Sequence, residues 1–173
     1  PYASKIDKKE TVDGWFVPSM TDLNQKNPHV IRYLIQNSEW WIETAGIDGI
    51  RMDTYPYADF DAMSQWMKEL NEEYPNFNVV GESWVTEPAY TAYWQKDSKL
   101  AAPRNSKLKT VMDFSFYDKM NQAKNEESNE SGKGLERIYN SFVYDFLYPN
   151  PLSVMAFLDN HDTNRFLEDG NDL

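Results

Sequence analysis

Arg51 and Asp53, two residues apart in GIDGIRMDTYPY, end an apolar run just before Pro56. Side chains alternate along a strand, so both charges face one side at the point where the strand stops. Alone, the pair reads as an ion pair closing a strand. A second apolar run ends in VVGESW, with Glu82 just past a glycine and Trp84 two residues on. By itself this is an acid at a sheet edge beside a packed indole. A third run ends in FLDNHDTNR, where Asp159, Asn160, His161 and Asp162 stand side by side. In isolation that is an Asx-rich turn or a helix cap.

Together the three clusters carry more. Isolated acids at several strand ends, with no cysteine in the chain to act as nucleophile, fit the two-carboxylate hydrolysis of a glycosidic bond. A retaining enzyme holds its two carboxyl groups about 5 to 5.5 Å apart. Adjacent parallel strands are about 4.7 to 4.9 Å apart, so acids on consecutive strands can meet that requirement. The chemistry asks Asp53 to be ionised for attack, beside the Arg51 guanidinium, and Glu82 to carry a proton for the leaving group. A metal-dependent hydrolase built on Asp159, His161 and Asp162 is a rival, weakened because the only other histidine, His29, is remote in sequence.

These acids need elements to position them. Asn27 caps and Pro28 opens a helix through NPHVIRYLIQNSEWWIETAG, with apolar residues at helical spacing and Gly46 as its stop. The run DFDAMSQWMKELNEEY predicts a second helix with Phe60, Met63, Trp66, Met67 and Leu70 on one face. IDGIRMD, FNVVGE, KTVMDF (Lys109 to Phe114) and SVMAFLD (Ser153 to Asp159) read as strands, and GLERIYNSFVYDF as a helix before the last. Asn121 to Gly134 is polar and reads as an exposed loop. Strand starts at 49, 78, 110 and 154 are 29, 32 and 44 residues apart, the cadence of parallel βαβ units. An open doubly wound sheet and part of a closed barrel both fit. The missing glycine-rich dinucleotide fingerprint and the acids at strand ends favour the barrel.

Composition narrows the partners. A net charge of −11 on 173 residues argues against nucleic acid and against an anionic membrane surface. No apolar run approaches the roughly 20 residues of a membrane helix. The absence of cysteine excludes disulfide frameworks and thiolate metal sites but leaves the compartment open. Aromatic residues make up 15% of the chain, which serves a core first and a sugar-stacking surface as the sharper alternative.

GIRMD, GESW and FLDNHD, in this order, resemble the second, third and fourth signature regions of the α-amylase superfamily of glycoside hydrolases. VPSMTDLNQKNP resembles the short signature at the end of that family's inserted domain, which assigns residues 1–27 to the end of the insertion. The resemblance implies Asp53 as nucleophile, Glu82 as general acid and base, and Asp162 as the acid that holds the sugar hydroxyls. It further implies that Arg51 orients Asp53, that His161 contacts the sugar at the cleavage point, and that Trp84 walls the leaving-group side. The wording of WWIETAGIDGIRMDTYPY is most similar to the cyclomaltodextrinase and neopullulanase branch, which acts on α-1,4 links of maltodextrins, cyclomaltodextrins and pullulan. The α-1,6 linkage stays open.

Departures matter too. Pro56 and Tyr57 stand where many members have Lys-His, which puts in doubt both a substrate contact by that Lys and the family's calcium site. No cofactor is expected, and calcium is left open for the complete protein. The first signature region is absent, so the resemblance implies a partial (β/α)8 TIM barrel, α/β in class, covering strands four to seven of eight. Such a piece is expected to be poorly active alone and to self-associate through open edges. The expected partner is an α-glucan; a periplasmic or secreted location suits a polysaccharide degrader, with no address in the sequence. The alternatives are a transglycosylase using the same acids and a non-catalytic α-glucan-binding relative.

Overall fold

The computed structural model describes residues 4–126 and 130–167. Four parallel strands lie in chain order: β1 (Gly49–Met52), β2 (Asn78–Gly81), β3 (Thr110–Met112) and β4 (Val154–Met155). Among the described residues there are six α-helices, α1 (Lys5–Asp13), α2 (Pro28–Ala45), α3 (Phe60–Glu73), α4 (Pro88–Tyr93), α5 (Phe114–Lys124) and α6 (Leu135–Ser141). Sequential parallel strands joined by helices are what successive units of a (β/α) barrel require.

Helix α2 begins and ends where its residue chemistry dictates. Asn27 Oδ1 accepts the His29 N–H at 2.9 Å, and Gly46 adopts a left-handed conformation (φ 62°) while its N–H closes onto Ile42 O. Asp59 caps α3 by accepting from the N–H groups of Asp61 and Ala62. All five apolar residues expected on one face of α3, Phe60, Met63, Trp66, Met67 and Leu70, are buried. Met63, Trp66, Met67 and Leu70 pack with Ile31 and Ile35 of α2 and with Val79 and Val111 of the sheet, while Phe60 meets Tyr93 and Trp94. Trp66 Nε1 donates to Ser38 Oγ at 2.9 Å and fastens α3 to α2.

The register places Arg51 opposite Val80 and Met52 opposite Gly81. Gly81 is required by packing, since a Cβ there would come 2.6 Å from Leu108 Cδ2 and 3.1 Å from the Tyr55 ring. Gln95 is a buried tie on the other side of β3. Its Nε2 donates to Lys109 O and Asn150 O, and its Oε1 accepts from the Asn150 N–H.

Several elements differ from expectation. Strand β3 stops at Met112 because Asp113 turns to cap α5, accepting the Phe116 N–H at 2.8 Å. Strand β4 is Val154–Met155 rather than Ser153 to Asp159. It pairs only with β3, and among the described residues nothing pairs with its outer edge. The helix expected across GLERIYNSFVYDF is α6 followed by a 3-10 segment, Phe142–Leu147, whose Phe142, Val143 and Phe146 side chains are exposed. Helical stability comes chiefly from burying one face, and this segment buries little. The loop expected from Asn121 to Gly134 starts later, because α5 runs to Lys124; residues 127–129 lie outside the described residues.

Candidate active site

Register brings the end of β1 beside the end of β2. Met52 O accepts the Glu82 N–H at 2.9 Å, so the ladder continues one step past the last paired residues. Asp53 and Glu82 therefore stand at neighbouring strand ends. Arg51 joins them, giving Nη1 to Asp53 Oδ1 at 2.5 Å and Nη2 to Glu82 Oε1 at 2.7 Å. The same Nη2 lies 3.6 Å from Asp162 Oδ2, in the segment after β4. One guanidinium thus touches three carboxylates from three strand ends. Its planar fork suits this work better than a single ammonium would.

The three acids differ in setting. Glu82 is only 3% exposed, with both oxygens acting as acceptors: Oε1 from Arg51 and Oε2 from the Thr54 N–H at 2.7 Å. Asp53 is exposed, open to anything approaching the mouth of the sheet. Asp162 is exposed as well, and His161 Nε2 lies 3.0 Å from its Oδ2. Thr54, between Asp53 and the buried Tyr55, has left-handed backbone (φ 46°, ψ 37°). For an L-residue that conformation costs about 1–2 kcal/mol, and such cost collects at functional sites.

Below Asp162 the loop is a set of local ties. The Asp162 N–H donates to Asn160 Oδ1, and Asp159 accepts from Arg165 Nη1 at 2.8 Å and from the Phe166 N–H at 2.9 Å. The Phe166 N–H first, and Arg165 second, hold the Asp159 carboxyl below the ordinary carboxylate range. Asp159 is thus committed to its own loop, while His161 pairs with Asp162. Among the described residues no three His, Asp or Glu side chains converge as a metal-binding group. Pro56 and Tyr57 form a 3-10 turn closed by the Tyr57 N–H on Thr54 O.

Trp84 is 46% exposed and stacks on Phe114 at 4.8 Å and 17°. Phe114 meets Phe157 edge-on at 4.9 Å, and Phe157 stacks on Tyr117 at 5.3 Å. Each of β2, β3 and β4 is thus followed by one ring of a continuous aromatic band. Phe114 and Phe157 were missed by sequence reasoning, although each sits two residues past its strand, as an aromatic at that offset could have signalled. A cavity of about 1080 Å³ lies away from the three acids, none of which lines it. It lies to one side, lined in part by Tyr57, Val85, Tyr90, Trp94 and Arg104. Tyr57 and Val85 belong to the segments leaving Asp53 and Glu82. No described helix is long and apolar enough to cross a membrane.

Known proteins are similar to this chain in sequence and in fold. The chain matches the family described as alpha amylase, catalytic domain, over residues 9–172. It is 33% identical over 162 residues to a cyclomaltodextrin glucanotransferase from Geobacillus stearothermophilus, covering 88% of this chain and 20% of that protein. It is 29% identical over 165 residues to a cyclomaltodextrinase from a Bacillus species, covering 94% of this chain and 27% of that one. The crystal structure of an alpha-amylase from Geobacillus thermoleovorans, complexed with acarbose, is similar with a TM-score of 0.78 at 28% identity, covering 97% of this chain and 36% of that chain. The chain therefore spans well under half the length of each of these relatives. With four parallel strands in order and a match over nearly its whole length, the chain belongs to the α-amylase catalytic-domain family and forms part of its (β/α)8 barrel.

Proposed function

We propose that this chain carries the acid residues of a retaining glycoside hydrolase acting on α-glucosidic bonds of maltodextrins or cyclomaltodextrins. The observation that carries the reading is the contact of Arg51 with Asp53, Glu82 and Asp162 together. Asp53 attacks the anomeric carbon as Glu82 gives its proton to the leaving oxygen, so the C1–O bond breaks as an Asp53–C1 ester forms. Water then attacks C1 while Glu82 takes its proton, and Asp53 leaves as the free carboxylate. For Glu82 to serve the leaving group, Arg51 must yield one of the oxygens it holds. Asp162 and His161, exposed at the rim, bind hydroxyls of the sugar undergoing cleavage. Trp84 offers an open ring face to the departing sugar, and the cavity beyond Tyr57 and Val85 has room for further units. Residues 1–27 belong to the end of an inserted domain. The exposed apolar side chains of Phe146 and Leu152, 79% and 96% accessible, favour association with further barrel elements or a second copy.

Asp53→Asn in the complete gene product tests this. It is expected to lower kcat on maltoheptaose by about four orders of magnitude or more, as for removal of one member of a covalent-catalysis set. Near-normal turnover would remove Asp53 from the mechanism. Transfer to a sugar in place of water is a second reading, favoured by the similarity to a cyclomaltodextrin glucanotransferase. Product analysis with and without added maltose as acceptor separates the two.

A further inference from the structure

The end of β1 departs from a regular parallel ladder at Thr54. With Glu82 N–H donating to Met52 O, even spacing would have the Thr54 N–H return to Glu82 O. Instead the Tyr55 N–H takes that carbonyl at 3.0 Å, one residue late. Thr54 is the extra residue, a bulge in left-handed conformation, and its freed N–H reaches Glu82 Oε2 at 2.7 Å. Bulges next to active sites re-aim groups in this way. Met52, Thr54 and Tyr55 therefore enclose Glu82 with three backbone contacts, and only the one from Thr54 reaches the carboxyl itself.

We propose that Thr54 is a positioning residue for the general acid, acting through its amide rather than its hydroxyl. The inference rests on the reading of Glu82 as proton donor. Arg51 holds one oxygen of Glu82 but also touches Asp53 and Asp162, so its guanidinium is shared among three acids. The Thr54 amide belongs to the backbone and has no second carboxylate to serve. It fixes one oxygen, leaving the other, Oε1, as the one that exchanges between Arg51 and the leaving group. A β-branched residue in left-handed backbone is kept where the surrounding structure over-determines it. Here Tyr55, fully buried, anchors the turn from the far side.

The test replaces the Thr54 amide by an ester, made by semisynthesis in the complete gene product, with the fold checked by circular dichroism. The kcat/KM is read on maltoheptaose, whose leaving group needs a proton, and on α-maltosyl fluoride, whose leaving group needs little help. A loss of about ten- to a hundredfold on maltoheptaose, with at most twofold on the fluoride, is expected of a misplaced acid. Equal losses on both substrates, or none on either, would overturn the proposal. Thr54→Ile, which makes the left-handed backbone harder to hold, should show the same selectivity more weakly and carries the test if the ester chain does not fold. Glu82→Gln in parallel separates the two levels. If it fails to discriminate between the substrates, the reading of Glu82 is wrong; if it discriminates and the Thr54 variants do not, only the role of Thr54 falls.

Discussion

The two ends of the sheet are built differently, and the candidate acids divide between them. At one end β1 and β2 pair along their full lengths over α2 and α3, with Ile35, Met67, Leu70 and Val79 almost wholly buried. At the other, β4 meets β3 only at Val154 and Met155, and Phe146 and Leu152 stand in solvent nearby. Asp53 and Glu82 grow from the packed end. Asp162 hangs from a turn held mainly by bonds within residues 159–166. The pair that makes and breaks covalent bonds in the proposed chemistry is thus fixed by the core, whereas the acid that binds hydroxyls rides on a locally tied loop.

The sharpest way to break this contrast is a core truncation at each end. Leu70→Ala should lower stability by about 2–5 kcal/mol through lost contacts and a cavity, while Leu152→Ala should change it by about 0.5 kcal/mol or less. Urea unfolding followed by tryptophan fluorescence measures both, and comparable losses would show that the β4 end is as well packed as the β1 end. A smaller effect is expected from Gly81→Ala. The added methyl overlaps Leu108 and crowds Tyr55, an overpacking cost of about 1–3 kcal/mol. Because Glu82 follows directly, activity should fall along with the urea midpoint; a variant of normal stability would contradict the close packing beneath the acid.

The smallest effect concerns pH and the loop alone. Asp159 is held below the ordinary carboxylate range by the Phe166 N–H and by Arg165. Its contribution is therefore complete above the unfolded value, near pH 4, and is lost as pH falls through the lowered folded value. The Phe166 amide resonance should stay constant down to about pH 4 and move only below it. Asp159→Asn should abolish that acid-side transition, and a transition centred above pH 5 would sever the loop from Asp159.

The packed end was also the legible end. The caps Asn27 and Gly46 and the five-residue apolar face of α3 are local signals, and burial there agrees with them. Arg51 and Asp53 do share a side, as alternation requires. At the β4 end the apolar run SVMAFLD carried a strand signal longer than the strand it forms. A run can pair only as far as its neighbour extends, and β3 ends when Asp113 caps α5. For the site, residue types and order pointed to Asp53, Glu82, His161 and Asp162. The reach of Arg51 to Asp162 spans more than a hundred positions in sequence, and the left-handed backbone at Thr54 is unusual for a β-branched residue. Neither could be read without the tertiary arrangement.

The buried Gln95 ties together parts of the chain that are distant in sequence. Its amide joins the stretch before β3 to Asn150, just ahead of β4, across 55 residues. Contacts that close so long a loop form late, after local helices and near-neighbour strands have gathered. The docking of β4 thus depends on a longer loop closure than the pairing of β1 with β2, and the reach of Arg51 to Asp162 depends on that docking. The acid cluster thus leans on a glutamine more than sixty residues away in sequence from Asp162, through the docking of β4 that its amide helps to hold.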